Sequence, residues 1–91
     1  MVNYYVISCF DSKNQLLGFF STWDKKYYKG ELTRFVVINK YPLPHHAHLY
    51  VTERGAKNNL EKVIKCGHIE DFRKNVTFKV QKMSFNFENI D

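Results

Sequence analysis

Four histidines and two cysteines are the residues of this 91-residue chain whose types suit metal binding or nucleophilic chemistry. Three of the histidines cluster in P-H-H-A-H (His45, His46, His48), and the fourth follows a cysteine in C-G-H (Cys66, His68). On a strand, His46 and His48 point to one side about 7 Å apart, a spacing that can chelate zinc. Cys66 and His68 supply two more ligands if the end of a helix lies over that strand. Against this, the clustered histidines adjoin both prolines of the chain, as surface loop residues do, and no carboxylate lies close in sequence to orient a metal-bound imidazole. Spacings of this kind often arise by chance. His46, His48, Cys66 and His68 are therefore weak metal candidates, and no cofactor is expected.

Catalytic patterns are thin. There is no nucleophile elbow, phosphate loop or dinucleotide fingerprint. The acids Asp11, Asp24, Glu53, Glu61, Glu70 and Asp71 are scattered and form no general acid/base pair. Cys9 lies inside an apolar run and reads as core. His68 with Glu70 and Asp71 resembles a base with an orienting carboxylate, but it lacks a partnered nucleophile.

A different chemistry is written in W-D-K-K-Y-Y-K-G-E, residues 23–31, with Arg34 shortly after. Lys25, Lys26 and Lys29 can neutralise phosphates while Trp23, Tyr27 and Tyr28 offer rings for bases to stack on, the composition of a single-strand contact loop. The same residues suit a protein partner, because Tyr and Trp supply interface hot spots. The plain structural alternative is a solvated hairpin tip whose rings fold back onto a sheet.

Composition bounds these readings. Ninety-one residues with 44% hydrophobic content, eight Phe, six Tyr and one Trp make one small domain spanning 1–91, its core built from aromatics. The net charge is +5 and eleven of the fourteen cations are lysine, which permits an anionic partner without demanding one. Abundant Lys, Asn, Tyr, Phe and Ile point to an AT-rich genome, hence a bacteriophage or low-GC bacterial source. No signal peptide and no membrane span are visible, so a cytoplasmic protein with reduced thiols is expected.

The elements that must position these groups are mostly strands. Val2–Phe10 is rich in β-branched and aromatic residues, residues 11–14 form a turn, and 16–22 is a second strand. Residues 23–31 are a loop or extended hairpin tip closed by Gly30, and 32–40 is a third strand. Residues 41–44 break it with two prolines, and 47–53 is a fourth strand with Leu49 and Val51 on one face.

The spacing of Leu60, Val63 and Ile64 predicts a helix over 58–67, with Ala56 extending the stripe, Asn58 and Glu61 as a capping pair, and Gly67 as its stop. A start at Thr52 is the alternative, at the cost of Gly55 in the first turn. Arg54, Asn58, Glu61 and Lys65 form the solvent face. Val76, Phe78 and Val80 then alternate in one parity, and Met83, Phe85 and Phe87 in the other, which predicts a last strand bulged or bent near Lys82.

The expected fold is α+β: a mostly antiparallel, curved five-stranded sheet in the order β-β-β-β-α-β, with one short helix packed on it. The expected function is that of a small non-enzymatic binding protein, phage-encoded, that modulates or inhibits a host or viral protein. Its contacts are the aromatic and basic loop (Trp23, Lys25, Lys26, Tyr27, Tyr28, Lys29 and Arg34) and an exposed sheet edge, which also permits homodimerisation. The alternatives are a nucleic-acid-binding module using the same loop, and a minimal hydrolase or metal-binding protein using the histidines.

Overall fold

The Asp11 carboxylate organises the first hairpin: its Oδ1 accepts the N–H groups of Lys13 (2.9 Å) and Gln15 (2.8 Å). Backbone bonds from Asp11 N–H to Gln15 O and from Asn14 N–H to Asp11 O, both 3.0 Å, close the turn. Asn14 takes the left-handed conformation (φ 61°) that asparagine tolerates better than most residues. On either side run β1 (Val2–Phe10) and β2 (Leu16–Tyr28). The chain continues with β3 (Glu31–Asn39), α1 (Glu53–Cys66) and β4 (Thr77–Phe85). The structure is a computed structural model that describes residues 2–39, 47–66, 68–69 and 75–85.

The fold is α+β and, among the described residues, has four strands in the order β3-β2-β1-β4, every neighbouring pair antiparallel. Five strands were expected, and residues 47–53 account for the difference. Only Tyr50 forms a bridge there, exchanging two 2.8 Å backbone bonds with Tyr5. Leu49 and Val51 are exposed, whereas Tyr50, of the other parity, packs on the core. The segment has no length for a ladder, because Thr52 already caps the helix.

That cap also moves the helix start. Thr52 Oγ1 accepts the Gly55 N–H at 3.1 Å, and Thr52 O accepts the Ala56 N–H. The helix therefore begins at Glu53, five residues before the Asn58 start that the capping pair suggested. A hydroxyl cap contributes about 1 kcal/mol, and Ala56 becomes fully buried, which together outweigh one glycine in the first turn. Lys57 pairs with Glu53 at 3.0 Å. Val63 lies in the core, but Ile64 is 59% exposed, so the apolar stripe is narrower than its spacing implied.

The sheet forks. β1 pairs with β4 over its whole length but with β2 only over Ser8–Phe10. Ser21 is an extra residue in β2, where the register with β3 shifts between Phe20 and Thr22. Beyond it, β2 and β3 leave β1 and continue as a two-stranded ribbon. Residues 48–50 fill the fork: the His48 N–H donates to Phe20 O (2.9 Å) on one limb, and Tyr50 joins Tyr5 on the other.

One face of the sheet carries Ile7, Cys9, Phe20, Val36 and Ile38, which close on Val63 of the helix. On the reverse face Val6, Ser8 and Phe19 are buried as well, and the Ser8 hydroxyl donates to Gln81 Oε1 at 2.6 Å. Burial on both faces corrects the expected bulge near Lys82. β4 keeps an unbroken register with β1 from Thr77 to Phe85. Its apolar residues change parity because Phe78 and Val80 face the helix while Met83 lies on the reverse face.

Candidate partner-binding site

The ribbon tip is a two-residue turn in which Lys29 (φ 51°) and Gly30 (φ 82°) are both left-handed, the geometry whose twist matches that of paired strands. It fixes the register: Tyr28 opposes Glu31, Tyr27 opposes Leu32, Lys25 opposes Arg34 and Trp23 opposes Val36. The residues expected as a contact loop thus form two strands. Opposed residues share a face, so Trp23, Lys25, Tyr27 and Arg34 lie on the helix-facing side and Lys26 and Tyr28 on the reverse, with Lys29 in the turn.

At the root, Trp23 belongs to the fold. It is half-buried, packs on the core and meets Phe20 edge-on at 5.3 Å between ring centres. The Arg34 guanidinium lies 4.1 Å over the indole ring, and its backbone carbonyl accepts the Cys66 thiol at 3.1 Å. The Trp23 ring offers the stacked Arg34 the cation–π attraction of a partly desolvated site. Further out the character changes. Tyr27 is 80% exposed and its cross-strand partner Leu32 is 59% exposed, an apolar pair presented beyond the core. Lys25 and Arg34, next along the same face, are like charges directly opposite one another, an arrangement that costs sheet stability.

The reverse face is more self-contained. Tyr28, Phe35 and His68 form a three-ring cluster with centroids 5.4–6.1 Å apart, and the Lys29 ammonium sits 5.3 Å from the Tyr28 ring centre. His68 is brought there by its backbone: its carbonyl accepts the Val36 N–H at 2.8 Å, and Ile69 bridges Val36 in parallel. These two residues cover part of the outer edge of β3. Acids interleave with the lysines: Asp24 Oδ2 lies 3.8 Å from Lys26 Nζ, and Glu31 stands opposite Tyr28.

The metal candidates separate. The His68 ring is held by Tyr28 and Phe35, the Cys66 thiol faces the carbonyls of Arg34 and His68, and His48 stacks on Tyr50 at 4.3 Å. Among the described residues, no three His, Cys, Asp or Glu side chains group to hold a metal ion. His45, His46, Glu70 and Asp71 lie outside the described residues. Burial pushes the Cys9 thiol up to about 11, the opposite of what a nucleophilic thiolate needs. Burial also raises Tyr50, partly offset by the hydrogen bond that Asn59 donates to its hydroxyl at 2.6 Å.

Two site residues escaped the sequence reading, Leu32 and Phe35. The signal for Leu32 was present: a two-residue turn on Lys29-Gly30 obliges residues 27 and 32 to face each other. Phe35 depends on where residues 68–69 return, for which the sequence carries no local mark. No helix among the described residues is long and apolar enough to cross a membrane. Compared with protein-family models, curated proteins and solved structures, the chain matches none.

Proposed function

We propose that the chain is a non-enzymatic binding protein that grips an acidic surface of a partner protein with the helix-facing side of its β2–β3 ribbon. The observation that carries this reading is the exposed Tyr27–Leu32 pair set beside the opposed cations Lys25 and Arg34. An aromatic and an aliphatic side chain give the apolar anchor that interface hot spots require, and partner carboxylates would relieve the repulsion between the two cations. The ribbon reaches beyond the core, with every residue from 25 to 32 exposed. Such a protein acts by the surface it covers, so the reading is of a modulator or inhibitor. A nucleic-acid module is disfavoured because the ribbon divides its cations between two faces, Lys25 and Arg34 on one and Lys26 among Asp24 and Glu31 on the other. Neither face carries the continuous positive track that phosphates need.

The test is affinity capture from a low-GC bacterial lysate, with and without nuclease, comparing the wild type with a Tyr27→Asp/Leu32→Ser double variant. A discrete protein recovered despite nuclease, and lost with the double variant, supports the reading. Recovery that collapses with nuclease, or that is equal for the double variant, overturns it.

A further inference from the structure

A second binding surface follows from the other end of the sheet. β4 is the terminal strand, and among the described residues nothing pairs with its outer side. Its free groups can be assigned. Tyr5 spends both its N–H and its C=O on Tyr50, away from β4, so Tyr5 and Lys82 form a non-hydrogen-bonded pair. In an antiparallel ladder such pairs alternate. Phe78, Val80, Lys82 and Ser84 therefore direct their N–H and C=O groups outward, along an edge that no described residue pairs with.

Beside that edge lies a cleft of about 420 Å³ between the C-terminal half of α1 and the start of β4, walled by Val63, Ile64, Ile69, Val76, Thr77 and Phe78. Phe78 faces the helix, so the cleft adjoins the helix-facing side of the first residues of the strand, with Asn75 as a polar member of its wall. Half-exposed Ile64 stands at its mouth. Strand edge and apolar cleft together are what an added strand uses, the edge for its backbone and the cleft for alternate side chains.

The charge on β4 selects the occupant. Thr77–Phe85 carries two lysines and no acid. Lys79 is engaged on the reverse face, 3.3 Å from Asn14 Oδ1 and over the Phe10 ring. Lys82 is exposed on the helix-facing side, in line with Phe78 and Val80. A second copy pairing edge to edge would bring four lysines into one ladder with no acid, which edge lysines are suited to prevent. An acidic partner strand meets no such barrier.

We infer that the β4 edge and its cleft take an extended segment of a partner protein, bound antiparallel, with the pattern acid-x-apolar-x-apolar. The acid faces Lys82, and the two apolar residues face Val80 and Phe78, the latter at the cleft. This rests on the binding-protein reading and assigns it a second surface with a stated ligand class.

The test is selection of a random heptapeptide library on the full-length protein, followed by fluorescence anisotropy and amide NMR shifts with the synthesised consensus. The expected consensus has that pattern, with the largest shifts at Phe78, Val80 and Lys82. Lys82→Pro blocks the edge while leaving the β1 ladder its bonds, since the Lys82 N–H points outward, and it should abolish binding. Lys82→Glu should weaken binding about tenfold and favour a peptide with lysine at the acid position. Ile64→Asp should weaken it to a similar degree without unfolding the chain, and these two variants decide the matter if the proline variant fails to fold. Tyr27→Asp should change nothing. A selection without enrichment, a consensus lacking the alternation, or shifts confined to the ribbon would overturn the assignment. Any of these, found alongside partner capture that depends on Tyr27 and Leu32, leaves the ribbon reading standing.

Discussion

Val63 and Ile64 fall on the same apolar spacing in the sequence, yet the fold treats them differently, and their alanine variants measure how α1 is rotated on the sheet. Val63 is 1% exposed among Ile7, Cys9, Phe20, Val36 and Ile38. Removing its two methyl groups forfeits about 1.6 kcal/mol of transfer free energy, at about 0.8 kcal/mol for each buried carbon. A residual void of roughly 40 Å³, at about 24 cal/mol per Å³, raises the loss by about 1 kcal/mol. The better helix propensity of alanine returns roughly 0.5 kcal/mol. Val63→Ala should therefore cost about 2 kcal/mol, a fall in Tm of roughly 8–16 °C for a domain of this size. Ile64→Ala deletes more hydrocarbon but from a half-exposed side chain, with the same propensity gain, so its effect should stay within about 0.5 kcal/mol. Urea unfolding followed by far-ultraviolet circular dichroism reads both. An Ile64→Ala loss equal to or larger than that of Val63→Ala would mean that the helix presents a different face, and the helix wall of the β4 cleft would fall with it.

Other perturbations probe the hairpins, the cap and the thiols. A Cβ at Gly18 would overlap the carbonyl oxygen of Asn39 and come 2.9 Å from its carbon, so Gly18→Ala should cost at least about 3 kcal/mol by thermal melt. Gly30→Ala meets nothing within 4 Å and should cost only the about 1 kcal/mol of a left-handed φ; a reversed order would contradict the hairpin geometry. Thr52→Ala should cost about 1 kcal/mol, and no loss at all would place the helix start elsewhere. In native protein a thiol reagent should modify half-buried Cys66 and spare Cys9 until the chain unfolds. Because burial lifts Cys9 from 9.0 to about 11, the unfolded chain ionises first as pH rises. The Cys9 contribution to stability is then fully present below pH 9 and lost between 9 and 11, a slope that Cys9→Ala should remove.

What the sequence made legible is local chemistry, and what it hid depends on partners far along the chain. Asp11 and Asn14 announce the first turn by residue type alone, and the bounds of β1 and β3 follow from β-branched and aromatic runs. Residues 47–53 alternate like a strand, but what Tyr50 can pair with was decided elsewhere. β2 parts from β1 after Phe19, beside the extra residue Ser21, and Tyr50 fills the place that it leaves. The helix start turned on whether Ala56 would be buried, a tertiary outcome that a capping pattern does not contain. The parity change in β4 looked like a bulge because a sequence shows which residues are apolar, not how many faces of the sheet are covered.

The candidate surfaces follow the same division. The residue types of the ribbon were plain, while their sorting onto two faces waited on the Lys29-Gly30 turn. Fork and ribbon both begin where β2 parts from β1 after Phe19. Were β2 to stay on β1 in the register that opposes Ser8 to Phe19, Lys25 would oppose Val2, so Trp23 and Lys25 would lie beside β1 while Tyr27 would still reach past it. The outer position of β4 owes nothing to that departure, because β4 pairs on the opposite side of β1 from β2. Exposure of the ribbon and the outer position of β4 are thus independent features of the sheet. A Ser21 deletion that straightened β2 should therefore act on the ribbon and leave the β4 edge intact, as should substitutions in the ribbon itself. A loss of binding at both surfaces would refute that independence.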